Sequence, residues 1–171
     1  MVEYTATTMR LRTIFKTLFA ITIVCSLAFL TYSASIYFDA YTYTRMISVS
    51  IHAFNVTSQD SNNTVVETIF LLQNPTKMEL KVAYIKQEVY RDPRHKNLLG
   101  ETHLSGWQTP SHKYIIQIPP FSNGTVAVNT SLENFSLESS SFNLFLIVYM
   151  RFEEIPLISS STLKWYFALS S

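Results

Sequence analysis

Between Lys16 and Asp39 the chain runs for 22 consecutive residues without a formal charge, Thr17 to Phe38 (TLFAITIVCSLAFLTYSASIYF). A helix of that length is about 33 Å long, against about 30 Å for the hydrocarbon core of a bilayer. Arg10, Arg12 and Lys16 lie just before it, and only Asp39 and then Arg45 follow closely. By the positive-inside rule the N-terminus is cytoplasmic and residues 39–171 lie outside. On the exit side Tyr32, Tyr37, Phe38, Tyr41 and Tyr43 gather at headgroup depth, where a ring can bury its body and wet its hydroxyl; they read as an interfacial anchor. The competing reading is a cleaved signal peptide, since Leu18 to Leu30 has the length of an h-region and Ser33-Ala34-Ser35 is a small-x-small cleavage site. The apolar run continues through Ile36, Tyr37 and Phe38, which a signal peptide does not need, so we read an uncleaved anchor. The expected layout is a cytoplasmic tail over 1–16, a transmembrane helix over 17–38, a juxtamembrane linker over 39–45 and an extracytoplasmic domain over 46–171.

Beyond the span, about 130 residues remain, enough for one domain with a proper core and too few for two. From Asp39 onward ten Lys/Arg face eleven Asp/Glu, a formal charge of −1. A nucleic-acid binder would need a basic face to replace phosphate counterions, so no nucleic-acid partner is expected. The single cysteine, Cys25, lies inside the span and leaves the outer domain without a disulfide. Its stability must then come from packing. We read Cys25 as a small apolar residue of the helix; palmitoylation would sit nearer the membrane edge. Asn-x-Ser/Thr sequons occur at Asn55, Asn62, Asn123, Asn129 and Asn134, while Pro75 excludes Asn74. These candidate glycosylation sites agree with an outside location, although a region rich in Ser, Thr and Asn also produces sequons by chance.

From Arg45 the apolar period changes from helical to alternating. Ile47, Val49 and Ile51 point one way and Ser48, Ser50 and His52 the other, the pattern of a strand with one buried face. Ser58 to Asn63 reads as a turn. Val65 to Leu72 is apolar on both faces toward its end and is expected to be central in its sheet. It stops at Gln73-Asn74-Pro75-Thr76, where proline removes a ladder donor. In Leu80 to Arg91 the apolar phase runs through Leu80 and Val82 and resumes at Ile85 and Val89. That slip of one residue predicts a β-bulge, which we expect to bend the strand around a sandwich edge. After the Asp92-Pro93-Arg94 turn the chain returns through Leu98-Leu99-Gly100. Further alternating stretches follow at Tyr114-Ile118, Val126-Val128, Phe142-Met150 and Leu163-Leu169. About seven or eight short strands, without an amphipathic helix between them, predict an all-β fold, an antiparallel sandwich.

The succession of an anchor, a strand ending in Leu71-Leu72-Gln73-Asn74-Pro75-Thr76, a bulged strand (Leu80, Val82, Ile85, Val89, Tyr90), Leu99-Gly100, Tyr114 to Pro120 (YIIQIPP) and Val126-Ala127-Val128 resembles the LEA-2 or water-stress and hypersensitive-response (WHy) type domain. The likeness covers residues 46–135 and, more loosely, the last two strands; Asn74 and Pro75 are its motif residues. The resemblance implies an immunoglobulin-like β-sandwich without catalytic residues, in a family linked to stress tolerance, to envelope association and in some members to lipid. The family's small glycine turns are thinned here, with Gly100, Gly106 and Gly124 the only glycines.

Catalytic constellations are not apparent, and neither an enzymatic activity nor a cofactor is expected. His95 and His103 flank the Leu98-Gly100 return, but a metal site there would need carboxylates such as Glu101 or Asp92. We read them as solvated loop histidines; His52 and His112 are the only others. Glu153 and Glu154 are expected on opposite sides of a strand. Neither a phosphate loop nor a Gly-x-Ser-x-Gly elbow occurs. The aromatics are in excess: Trp107, Tyr114, Phe121, Phe135, Phe142, Phe145, Trp165, Tyr166 and Phe167. Those in the inward phase are expected to fill the core. Phe145, Tyr149 and Tyr166 fall outside it and are candidates for an apolar surface that meets a ligand or partner. The sequence thus points to a non-catalytic membrane-anchored binding or structural module of the cell envelope, its partners the bilayer and envelope proteins or copies of itself. The alternatives are a lipid or hydrophobic-ligand carrier with a cavity lined by Phe142, Leu144, Leu146, Leu163 and Trp165, and a subunit of an envelope filament or secretion machine offering an edge strand.

Overall fold

The computed structural model describes residues 2–60, 63–106, 113–135, 142–155 and 158–170 and divides into two compact units, Met1–Asp39 and Ala40–Ser171. The first unit is helical. It is the larger part of α1 (Val2–Met46), within which Thr13–Met46 is long and apolar enough to cross a membrane by length and composition. Every side chain from Thr13 to Tyr32 is exposed. Three of its threonine hydroxyls are satisfied within the helix: Thr17 donates to the Thr13 carbonyl at 2.9 Å, Thr22 to Leu18 at 2.9 Å and Thr31 to Leu27 at 3.0 Å. In a hydrocarbon solvent only such self-satisfied groups are tolerated.

The second unit begins with the last turns of α1. Ala40 and Tyr43 are buried in the main core cluster, and the Tyr43 hydroxyl donates to the Glu79 carbonyl at 3.3 Å. Tyr32, Tyr37, Phe38 and Tyr41 are exposed, whereas Tyr43, expected among them, is only 1% exposed and belongs to the core instead. The helical spacing of Ala40 and Tyr43 puts both on one face, and that face is apolar enough to join the sandwich.

Eight antiparallel strands follow: β1 (Ser48–Gln59), β2 (Asn63–Asn74), β3 (Leu80–Tyr90), β4 (Leu98–Ser105), β5 (Ile116–Ile118), β6 (Ser122–Glu133), β7 (Asn143–Ile155) and β8 (Ile158–Ser170). They form an immunoglobulin-like sandwich of a three-stranded sheet, β1-β2-β6, and a five-stranded sheet, β4-β3-β7-β8 with β5 also on β3. β2 is central in its sheet, and its alternate residues Val66, Phe70 and Leu72 are fully buried. The bulge in β3 is present: Val82 and Ala83 are both buried, and the register with β7 slips between Val82 and Tyr84. It lies inside the sheet, not at a sandwich edge. Leu80–Val82 pair with β5 and Tyr84–Tyr90 with β4, so the bulge marks the point where β3 changes its partner on that side.

One side of the sandwich is closed by β4 against β6. A Cβ built on Gly100 would lie 2.1 Å from the Ser131 carbonyl oxygen, and Thr102 donates to the Asn129 carbonyl at 2.8 Å. Only glycine permits that approach. The interior is apolar in two clusters, around Phe70, Ile85 and Met150 and around Val66, Val89 and Leu132. Gln87 is also fully buried; its amide donates to the Thr68 and Thr130 hydroxyls at 3.1 and 3.2 Å, and its Oε1 is unpartnered.

The end of the sandwich at which the chain enters is organised by Asn74, 1% exposed. Its side-chain amide donates to the carbonyls of Met78 (2.7 Å), Ile118 (3.1 Å) and Pro119 (3.0 Å). Its oxygen accepts from the Thr76 amide at 3.2 Å and the Thr76 hydroxyl at 2.7 Å. Asn74 therefore ties the β2–β3 loop to the β5–β6 loop. Pro75, which follows it, is exposed.

Candidate functional site

After the bulge in β3, Ile85, Gln87 and Val89 face inward, so Lys86, Glu88 and Tyr90 stand on the outer face of the five-stranded sheet. Register places Tyr90 beside Phe145, Glu88 beside Ile147 and Lys86 beside Tyr149. On the next strand Ile147 pairs with Tyr166 and Tyr149 with Lys164. The three rings expected to lie outside the core, Phe145, Tyr149 and Tyr166, thus share one face across β7 and β8. Tyr166 is 60% exposed, while Phe145 and Tyr149 are half-buried.

The face also contains residues that strand periodicity alone does not single out. The His95 ring lies 5.1 Å from Tyr90 and 5.7 Å from Tyr166. Lys164 Nζ sits over both Tyr149 and Tyr166, 5.0 and 4.7 Å from the ring centroids, a pair of cation–π contacts. Beneath the rings Glu88 accepts from the hydroxyls of Tyr90 (3.0 Å) and Tyr149 (3.5 Å) and pairs with Lys86 at 2.6 Å. Burial alone would raise the Glu88 carboxyl, but hydrogen bonds from Lys86 and Tyr90 bring it below its ordinary value. The same bond to Glu88 raises Lys86. The result is an amphipathic surface of tyrosine rings on a fixed ionic base, with large apolar area held at low side-chain entropy. Tyr90 and Lys164 come to the face through strand pairing; His95 reaches it through a turn with φ of 55°, which periodicity does not encode.

The remaining candidate residues separate into other settings. His95 is half-buried against two tyrosines and is not solvated as expected, whereas His103 lies exposed on β4 beside Tyr84 and Glu101. Among the described residues no group of three or more His, Cys, Asp or Glu is placed to hold a metal ion. Asp92 caps its own turn, accepting from the amides of Arg94, Lys96 and Asn97. Glu153 and Glu154 do not point apart: Lys113 pairs with both at 3.4 Å. Glu154 adopts φ of 60°, which breaks the alternation and turns its carboxylate to Lys81 and Tyr114. Of the expected carrier cavity, Leu144 and Leu146 are fully buried, and Phe142, Leu163 and Trp165 pack against the core clusters from partly buried positions. Trp107 and His112 lie outside the described residues, as does Asn62.

The sequons occupy the opposite face. Asn55 on β1 pairs with Glu67, Glu67 pairs with Asn129 on β6, and Asn123 pairs with Gln73; all three asparagines are exposed on the outside of the three-stranded sheet. Asn134 is exposed in the turn after β6, with φ of 52°. The strands of the five-stranded sheet carry no sequon.

No protein-family model matches the chain, and no curated protein sequence matches it significantly. Solved structures do resemble it. The solution structure of a protein described as late embryogenesis abundant (LEA) superposes with a TM-score of 0.54 at 8% identity, covering 83% of this chain and 83% of that one. The solution structure of an Arabidopsis thaliana protein gives 0.53 at 8% identity, over 72% of this chain and 79% of that one. At such identity the likeness is one of fold, and the LEA-like sandwich is the fold of this chain.

Proposed function

We propose that the chain is a non-catalytic, single-pass membrane protein, N-terminus inside, that presents a LEA-2-like β-sandwich outside the cell membrane as a binding or structural module of the envelope. The observation that carries this reading is the division of labour between the two outer faces. One bears Asn55, Asn123 and Asn129, all exposed; the other bears Tyr90, Phe145, Tyr149 and Tyr166 and has no sequon. Glycans on the first would keep it solvated and leave the tyrosine face as the docking side. The apolar helix and its preceding Arg10, Arg12 and Lys16 support the anchoring and the orientation. Tethering to the bilayer concentrates the tyrosine face against whatever lies in the same layer, so modest intrinsic affinity suffices.

The test is native mass spectrometry of the full-length chain extracted in mild detergent from its own membrane, beside the Tyr149→Ser/Tyr166→Ser variant. Expected are a mass increment at the sequons and a stoichiometric protein partner, or a second copy, that the variant loses. A bare monomer, or partners indifferent to the variant, overturns the reading. Retention of an apolar small molecule would favour the carrier instead.

A further inference from the structure

The β2–β3 and β5–β6 loops, already tied together by Asn74, meet in a tip whose exposed apolar residues stand beside the exposed charges of Lys77 and Glu79. Pro75, Pro119, Pro120 and Phe121 are all exposed, and Phe121 is exposed to 72%. Phe121 also adopts φ of 54°. A bulky L-residue in the left-handed region is strained, because its Cβ crowds the following carbonyl. The turn is nevertheless held: the Phe121 amide donates to the Thr76 carbonyl at 3.1 Å, and the Ser122 hydroxyl donates to the Pro119 carbonyl at 2.7 Å. A strained backbone that the surroundings fix, presenting a large ring to the outside, is a feature that packing of the domain itself does not require.

Part of the polar backbone of the tip is bonded internally. Pro75, Pro119 and Pro120 have no amide hydrogen to leave unpaired. The amides of Thr76 and Phe121 are bonded within the tip, and so are the carbonyls of Thr76, Met78, Ile118 and Pro119. These groups can leave water without being orphaned, while Lys77 and Glu79 keep their charges at headgroup level. Its position is fixed by register. Ser48 at the start of β1 pairs with Gln73, Asn74 pairs with Ser122, and Leu80 pairs with Ile118, so the tip lies at the end of the sandwich where the chain enters from Ala40.

We infer that this tip is a membrane-surface anchor: Phe121, flanked by the prolines, inserts into the headgroup–acyl boundary of the bilayer that holds the apolar helix and fixes the tilt of the sandwich on it. The occupant is a lipid surface and not a protein, because chain continuity from the span to Ala40 keeps this end of the domain next to the headgroups. The inference rests on the helix being a retained membrane anchor. An aromatic ring at that boundary buries its body without needing a hydrogen-bond partner.

The experiment uses the full-length chain in phosphatidylcholine/phosphatidylglycerol liposomes, spin-labelled at one cysteine at a time. The native Cys25 reports on the span; Phe121→Cys and Glu133→Cys, each combined with Cys25→Ala, report on the tip and on the far end of β6. Collision with molecular oxygen is compared with collision with a water-soluble nickel chelate. Expected is a label at 121 that favours oxygen several-fold over its value at 133, with the Cys25 label excluded from the chelate. A label at 121 as open to the chelate as that at 133, with Cys25 still excluded, overturns the anchor and leaves the span. A Cys25 label open to the chelate overturns the span and the anchor with it.

Discussion

Replacing Asn74 should do more damage than replacing any other polar residue of the sandwich. Its side chain serves the carbonyls of Met78, Ile118 and Pro119 and the amide and hydroxyl of Thr76. A net hydrogen bond contributes about 1 kcal/mol, and a buried group left unpaired costs about 1–3 kcal/mol. The bonds to Ile118 and to Thr76 are buried, whereas those to Met78 and Pro119 are part-buried and their carbonyls can recover water. Asn74→Ala should therefore destabilise the domain by about 3–4 kcal/mol, against a total of about 5–15 kcal/mol for a domain of ordinary stability. The midpoint should fall by about 10 °C. Asn74→Asp separates geometry from chemistry. It keeps the volume but places a second oxygen against three carbonyls, which holds its carboxyl above the unfolded value of about 3.9. A raised folded-state pKa gives stability that is complete below about pH 3.9 and is lost as the pH rises through the folded value. Relative to Asn74→Ala, the Asp variant should thus gain stability on acidification from pH 7. Thermal unfolding of the full-length chain in detergent, followed by near-ultraviolet circular dichroism, reads both. An Ala variant within about 1 kcal/mol of the parent, or an Asp variant whose difference from Ala ignores pH, would refute the reasoning.

Four further outcomes can be read in the same assay. Gly100→Ala should cost about 1–3 kcal/mol, because its Cβ would meet the Ser131 carbonyl at 2.1 Å and backbone must move. Gln87→Leu should cost about 1–3 kcal/mol by stranding the Thr68 and Thr130 hydroxyls, whereas the triple change with Thr68→Val and Thr130→Val should return to about the parent's stability. Phe121→Gly should leave the fold in detergent equal or more stable by up to about 1 kcal/mol, since it relieves the left-handed strain at the price of a more flexible unfolded chain. Glu154 is held down to about 2 by the hydrogen bond from Lys81, with Tyr114 and Lys113 adding to it. A depressed folded pKa means stability present above the ordinary 4.5 and lost as the pH falls toward 2. The advantage of the parent over Glu154→Gln should shrink across that window, and an advantage constant from pH 6 to pH 2 would count against the ion pair.

What was legible in the chain is what a period of two can carry. The bulge at Ala83 could be placed because β3 has one face against the core, and a slipped phase between Val82 and Ile85 admits no other explanation. The edge assigned to it could not be read correctly, since two of the strands that flank β3, β5 and β7, come from distant parts of the sequence. Local periodicity also failed wherever φ turns positive: at His95, which the turn delivers to the tyrosine face, and at Glu154, which it brings to the lysine that Glu153 also holds. Tyr43 was misread for a different reason. An exposed tyrosine and a core tyrosine have the same spacing in a helix that continues past its apolar run, and only the covering strands distinguish them. The division between the two outer faces has the same nonlocal origin. Asn55 and Asn129 stand on either side of Glu67 only because β6 pairs with β2 in the three-stranded sheet although β3, β4 and β5 lie between them in sequence. Sequons and tyrosines were each visible as a list of residues; that they occupy opposite sides of the sandwich is a property of strand order. Strand order is also what makes the division testable, because a change at Tyr149 or Tyr166 is separated from Asn55, Asn123 and Asn129 by the thickness of the core.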